Sequence, residues 1–187
     1  MKPYDIELNA FSVSVFPVPE EAPEAANVTD NGLIVLTQPK QTLAIDAADE
    51  VPLFIGVKGQ MLTGKAYSLN ESLRERPYID LSSLLLRLHL DPNQVEAFLG
   101  PSLTFAHIEQ ADEVLTRVKE LGYDLACKGT SGVHYLDQQV LVLLQLRKIG
   151  IPMNQIHVSC YDTYDTKGLK SALGGDEKKN RFIATFK

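Results

Sequence analysis

Residues 90–103 read LDPNQVEAFLGPSL and carry, in order, a capped helical turn, a short strand and a rigid turn. Asp91 is a favoured N-cap type, and Pro92 takes the first helical position, where its missing N–H costs nothing. Residues 97–99 read as an apolar strand that Gly100-Pro101-Ser102 terminates. Helix and strand signals alternate in this way along the whole length, which predicts an α+β fold.

Upstream, residues 6–16 place Ile6, Leu8, Phe11, Val13 and Val15 at apolar positions and predict one half-buried strand. Residues 17–27, PVPEEAPEAAN, predict an exposed loop. Short buried strands are expected at 33–36 and 42–45 around a turn at 38–41. The apolar run 51–57, followed by turn residues at 56–60 and then Met61 and Leu62, predicts a hairpin. Ser68 and Glu71 have the spacing of a capping box. Pro77 is expected to break or end the helix that Ser68 opens. Residues 79–88, apolar on nearly all sides, predict a well-buried helix. Downstream, 109–121 predicts an amphipathic helix closed by Gly122. Asp137 caps a strongly apolar helix that stops at Gly150, with Pro152 behind it. Residues 156–159 and 181–186 read as closing strands.

A chain of 187 residues is most simply one domain over residues 1–187. At that size folding buries about 70% of the unfolded surface, so neither disulfide nor metal is needed to hold a core. The net charge of −6 argues against a nucleic-acid partner. No run approaches the roughly 20 apolar residues of a membrane helix, and the first residues lack a signal-peptide pattern. Cys127 and Cys160 form no CxxC pair, which favours a reducing compartment, so a cytoplasmic location is expected. Both cysteines are expected in the core.

Phosphate-loop glycine motifs and a Gly-x-Ser-x-Gly elbow are absent. The four histidines fall in no HxH or HxxxH pair, so no local metal signature exists. His89 and His134 sit beside helix ends and read as structural. His107, after the Gly-Pro-Ser turn, either faces a cleft or lies on the surface. On a strand, His157 and Ser159 share one face while Val158 and Cys160 share the other, which argues against a His157–Cys160 dyad. Asp46, Asp49 and Glu50 interrupt an apolar neighbourhood. Charges beside a buried strand need a partner, a ligand or solvent, so this cluster is either a solvated turn or a site.

Several stretches resemble one known family in the right order. Residues 90–103, the segment GVHYLD at 132–137, the stretch from LRKIGIP to HVSCY at 146–161 and the strand NRFIATF at 180–186 are similar to successive motifs of the laccase-domain, or YfiH-type, family. TDNGLIVLT at 29–37 and ADEVPL at 48–53 resemble two of its earlier motifs. The resemblance implies layered mixed β-sheets flanked by helices. It also implies zinc-dependent purine nucleoside chemistry, phosphorolysis and adenosine deamination, although members have been called polyphenol oxidases and peptidoglycan editing factors.

The family's zinc ligands, His, Cys and His, have no counterpart here. Residues 9–16 contain no histidine, Glu50 stands where the motif has cysteine, and Lys65 stands at the second histidine. The arginine pair of a later motif is also missing near residues 171–176. A protonated lysine cannot ligate zinc, so no metal and no cofactor are expected. A Glu50–Lys65 ion pair is expected to fill the vacated place. The candidate catalytic residues are therefore Glu50, Asp49 and Lys65, and the candidate ligand-binding residues are Tyr67, Ser102 and His107. A third and weaker reading makes an alternative site of His107, His134 or Cys160; two functions stand ahead of it. One is a catalytically degenerate family member that binds a small molecule such as a nucleoside, or a partner. The other is an active nucleoside-processing enzyme that uses the Asp49 and Glu50 carboxylates in place of zinc. The oligomeric state stays open.

Overall fold

The computed structural model describes residues 4–17, 27–29, 33–130 and 132–187, so most of the expected loop at 17–27 lies outside the described residues. Two five-stranded sheets form the frame. The first runs in the order β1 (Tyr4–Glu7), β2 (Phe11–Phe16), β12 (Asn180–Phe186), β5 (Thr42–Ala47) and β3 (Asn27–Thr29). The second runs β11 (Ile156–Val158), β8 (Val95–Leu99), β6 (Val51–Val57), β7 (Met61–Tyr67) and β4 (Ile34–Leu36). Pairing is antiparallel except for β3 with β5 and β11 with β8.

Burial along the strands gives the layering. In β2, buried Phe11, Val13 and Val15 alternate with half-buried residues, as on a sheet covered on one face. Every residue of β6 is buried, because both faces of the second sheet are covered. Phe54 packs towards the first sheet with Phe11, Ile45 and Phe182. Val51, Leu53, Ile55 and Val57 pack the other way, on Leu81, Leu84 and Leu85 of helix α2 (Arg76–Arg87) and on Val142 and Leu146 of helix α4 (Gln138–Ile149). Burying each such side chain contributes about 1.5–3 kcal/mol. A third cluster joins helix α3 (Asp112–Glu120), through Leu115 and Val118, to Leu136 of the hairpin β9 (Cys127–Thr130)–β10 (Val133–Leu136) and to Leu141. The described residues thus form one α+β domain in sheet, sheet and helix layers.

Local signals hold closely. β6 and β7 make the expected hairpin, with Gly59 at φ +67° in its turn. Ser68 and Glu71 close a reciprocal capping box on helix α1 (Leu69–Leu73). Asp91 accepts from Asn93 N at 2.9 Å, and Asp137 caps α4, which ends on left-handed Gly150.

Long-range pairing revises other expectations. Residues 6–16 are two strands, not one: β1 folds back on β2, with Leu8 N donating to Phe11 O at 2.9 Å. The expected strands at 33–36 and 42–45 part company, β4 pairing with β7 and β5 with β12. Pro77 lies in the first turn of α2 and starts that helix instead of breaking α1. That helix is amphipathic, with Ile79 and Leu86 42% and 77% exposed. Helix α3 begins at Asp112 because residues 108–110 pair with β10, Leu136 N donating to Ile108 O and Gln110 N to His134 O. Cys127 is half-buried and Cys160 exposed, so neither is a core residue; β11 ends at Val158 and the chain leaves the sheet before Cys160. Among the described residues no helix is long and apolar enough to cross a membrane.

One charge sits between the layers. Glu96 on β8 is 9% exposed and accepts from Asn9 Nδ2 at 2.6 Å and Ala10 N at 2.7 Å, pinning the β1–β2 turn to the second sheet. Glu96→Gln turns one acceptor oxygen into a donor that faces another donor, so urea unfolding is expected to register a loss of about 1–3 kcal/mol. Gly56 lies where the sheets meet, and a Cβ there would stand 2.4 Å from the fully buried Phe11 ring. Gly56→Ala is expected to cost about 1–3 kcal/mol in the same measurement, because the ring has no free space to move into.

Candidate functional site

Where β5 turns into β6 and β7 runs into α1, the polar side chains gather at the ends of the sheets. Asp46 accepts two bonds from Arg181, both 2.7 Å. Asp49 accepts from Thr163 Oγ1 at 2.9 Å and from Leu173 N at 2.8 Å, so both its oxygens hold the long segment between β11 and β12. Glu50 accepts from Ala48 N at 3.0 Å and lies 3.7 Å from Lys179 Nζ.

Lys65, 8% exposed, stands opposite Leu53 in the β6–β7 ladder. Its Nζ donates to Glu71 Oε1 at 2.6 Å and lies 5.1 Å from the centre of the Tyr67 ring. The expected Glu50–Lys65 pair is thus corrected: Lys65 pairs with Glu71 and Glu50 with Lys179. The reason is local. Helix α1 begins directly after β7, and its cap already fixes Glu71 beside Lys65, Oε2 accepting from Ser68 N and Ser68 Oγ at 3.0 Å each. Burial alone would raise the Glu71 carboxyl, but the bonds from Lys65 and Ser68 outweigh it and hold the group below the usual carboxylate range.

Two adjoining cavities share Glu50 and Ser68. One, of about 230 Å³, is walled by Asp49, Leu69, Leu103, Ile108 and Gln138 as well. The other, of about 250 Å³, adds Asp46, Lys65, Glu71 and Lys179. Glu50 thus lines both cavities, Asp49 the first alone and Lys65 the second alone. Tyr67 does not join them: it is fully buried, and its hydroxyl donates to Asp80 Oδ2 at 3.4 Å. Burial, then Asp80, pushes its pKa far above the ordinary phenol value, so it stays neutral. Ser102 is also fully buried, and its carbonyl accepts from Thr163 N at 3.1 Å.

His107 lies on a one-turn 3-10 helix, Phe105–His107, between cleft-lining Leu103 and Ile108. Its Nε2 is 3.0 Å from Asp165 Oδ2 and 4.0 Å from Asp162 Oδ2, and its ring centre is 4.5 Å from that of Tyr164. Burial would raise Asp162, but hydrogen bonds from Thr104, Asp165 and Tyr164 hold it below the usual range. Glu71, Lys179, Asp162 and Asp165 escaped the sequence reading. Glu71 was legible only as a cap; the others sit in polar segments that turn chemistry alone explains.

Zinc does not fit the place the resemblance gives it. Neither cavity is lined by a histidine or cysteine among the described residues, and the Lys65 ammonium has no lone pair to give.

Comparison with known proteins agrees with this architecture. The family described as multi-copper polyphenol oxidoreductase laccase matches residues 12–171. A purine nucleoside phosphorylase of Bacteroides thetaiotaomicron is 24% identical over 139 residues, 70% of this chain and 50% of that protein. The chain thus spans about half the length of the curated relative it matches. Among solved structures, the hypothetical protein YfiH of Bacillus licheniformis superposes with a TM-score of 0.74 at 18% identity, over 88% of this chain and 70% of that one. YlmD of Geobacillus stearothermophilus gives 0.74 and 18%, over 83% of this chain and 60% of that one. A family match over most of the length, joined to the same fold, places this chain in the multi-copper polyphenol oxidoreductase laccase family, the YfiH-type group.

Proposed function

We propose that this chain is a nucleoside-binding family member whose family metal centre has become a purely ionic contact, and that it turns over no nucleoside there. The observation that carries this reading is Lys65, buried and tied to Glu71 at 2.6 Å where the resemblance expects a metal ligand. A paired ammonium neutralises charge as a metal ion would, but it neither polarises a bound water nor opens a coordination position. A small-molecule ligand suits the cleft: Leu69, Leu103 and Ile108 offer apolar walls for a flat ring, and the Glu50 carboxylate offers acceptors for hydroxyl groups. The name of the Bacteroides relative, a purine nucleoside phosphorylase, points to the same ligand class. No cofactor is part of this proposal.

A second reading, an active nucleoside-processing enzyme using carboxylates, draws on Glu50, which lines both cavities. Asp49 contributes less to it, because both its oxygens are occupied.

Thermal unfolding with adenosine or inosine, paired with an assay for free purine in phosphate buffer, separates the two. The first reading expects a concentration-dependent rise in Tm, since a ligand of the native state stabilises it, and no purine release. Release that Glu50→Gln abolishes would replace it with the second. A flat thermal response together with no release would remove both.

The ionic contact has its own test. Because the folded pKa of Glu71 is depressed, its contribution is full at neutral pH and is lost as pH falls through that folded value. Glu71→Gln is expected to destabilise the protein at pH 7 by about 1–3 kcal/mol, discounted for the partial exposure of the carboxylate. Its unfolding midpoint is expected to change less on acidification than that of the parent, as followed by urea titration at pH 7 and pH 4.

A further inference from the structure

We propose that His107, Asp162 and Asp165 form a divalent-metal site of the zinc or manganese class, on the two loops beside the cleft. Among the described residues this is the one group of three such side chains whose ligand atoms converge, each within 4.8 Å of the others. Ligand atoms about 2.1 Å from a shared tetrahedral or octahedral ion lie roughly 3.0–3.4 Å apart. The two histidine–carboxylate separations, 3.0 Å and 4.0 Å, bracket that span, so only a small inward movement of exposed Asp165 and of His107 is needed.

The loops are fixed to each other without the histidine. Thr163 N donates to Ser102 O at 3.1 Å, and Thr163 Oγ1 donates to Asp49 at 2.9 Å. Asp162, 7% exposed, is held by Tyr164 N at 2.7 Å and Asp165 N at 2.9 Å on Oδ1, and by Thr104 N at 2.7 Å on Oδ2. The Thr104 side chain also bonds to this carboxylate, and His107 Nε2 stands 4.0 Å from its Oδ2. Carboxylates that ligate metals are commonly hydrogen-bonded from behind in this way, which fixes their direction. The Tyr164 ring lies against the imidazole, its plane tilted by 46°.

Charge argues for a cation. No lysine or arginine pairs with Asp162 or Asp165 among the described residues, so the one titratable base beside the two carboxylates is an imidazole. One nitrogen and two carboxylate oxygens favour zinc or manganese; an all-oxygen set would suit calcium or magnesium. Three protein ligands leave at least one position for water. The site uses none of the residues at the family's metal position and requires no nucleoside.

Chelator-treated protein titrated calorimetrically with Zn²⁺ and with Mn²⁺, without nucleoside, tests it. The expected result is one equivalent of Zn²⁺ or Mn²⁺ bound, weakened at least tenfold in His107→Ala and in Asp165→Asn, both still folded by circular dichroism. His134→Ala, which removes the exposed His134–Asp112 pair, is expected to leave binding unchanged. Absence of stoichiometric binding of either metal, or binding that survives His107→Ala, or equal loss in His134→Ala, would overturn the site and leave a plain His–Asp ion pair. The nucleoside reading is measured separately, by thermal shift, so either proposal fails without the other.

Discussion

The second sheet is covered on both faces, and the position of everything polar follows from that. A sheet pressed between another sheet and a helix layer has no room for uncompensated charge along its length; Glu96 stands there only because two donors from the β1–β2 turn reach it. Function is therefore pushed to the strand ends, where the chain emerges from the layers. Residues 48–50 and Lys65 emerge at the same end, because β6 and β7 are joined by a tight hairpin and run antiparallel in register, Val51 opposite Tyr67. The cavities lie where that hairpin brings two strand ends together over the core.

The elements legible in the sequence are those decided by near neighbours. The β6–β7 hairpin, the Ser68–Glu71 box and the Asp137-to-Gly150 helix each depend on residues within one element and its flanks, and each formed as written. What the sequence did not disclose depends on partners far along the chain. Residues 33–36 and 42–45 look alike and lie close together, yet one joins each sheet, because the choice belongs to β7 and β12. Leu86 is apolar but exposed, since the helix face that meets the sheet was already filled by Leu81, Leu84 and Leu85.

The same distinction governs the site. Its expected place at Asp49, Glu50 and Lys65 came from a family resemblance; Glu50 lines both cavities there, and Asp49 and Lys65 line one each. Who pairs with whom was not readable. Glu71 serves Lys65 because a helix cap had already brought it there, while Asp49 is drawn away to hold Thr163 and Leu173, more than a hundred residues downstream. Tyr67 and Ser102, attractive by residue type, are consumed by packing.

Glu71 answers two demands with one carboxylate: one oxygen closes the first turn of α1 and the other neutralises Lys65. That double duty couples the site to the helix. Replacing Lys65 would remove the cation but not the carboxylate, which the cap keeps in place. Any side chain put at position 65 would meet an anion already fixed at the start of α1, so the helix cap sets the charge that this strand end must answer.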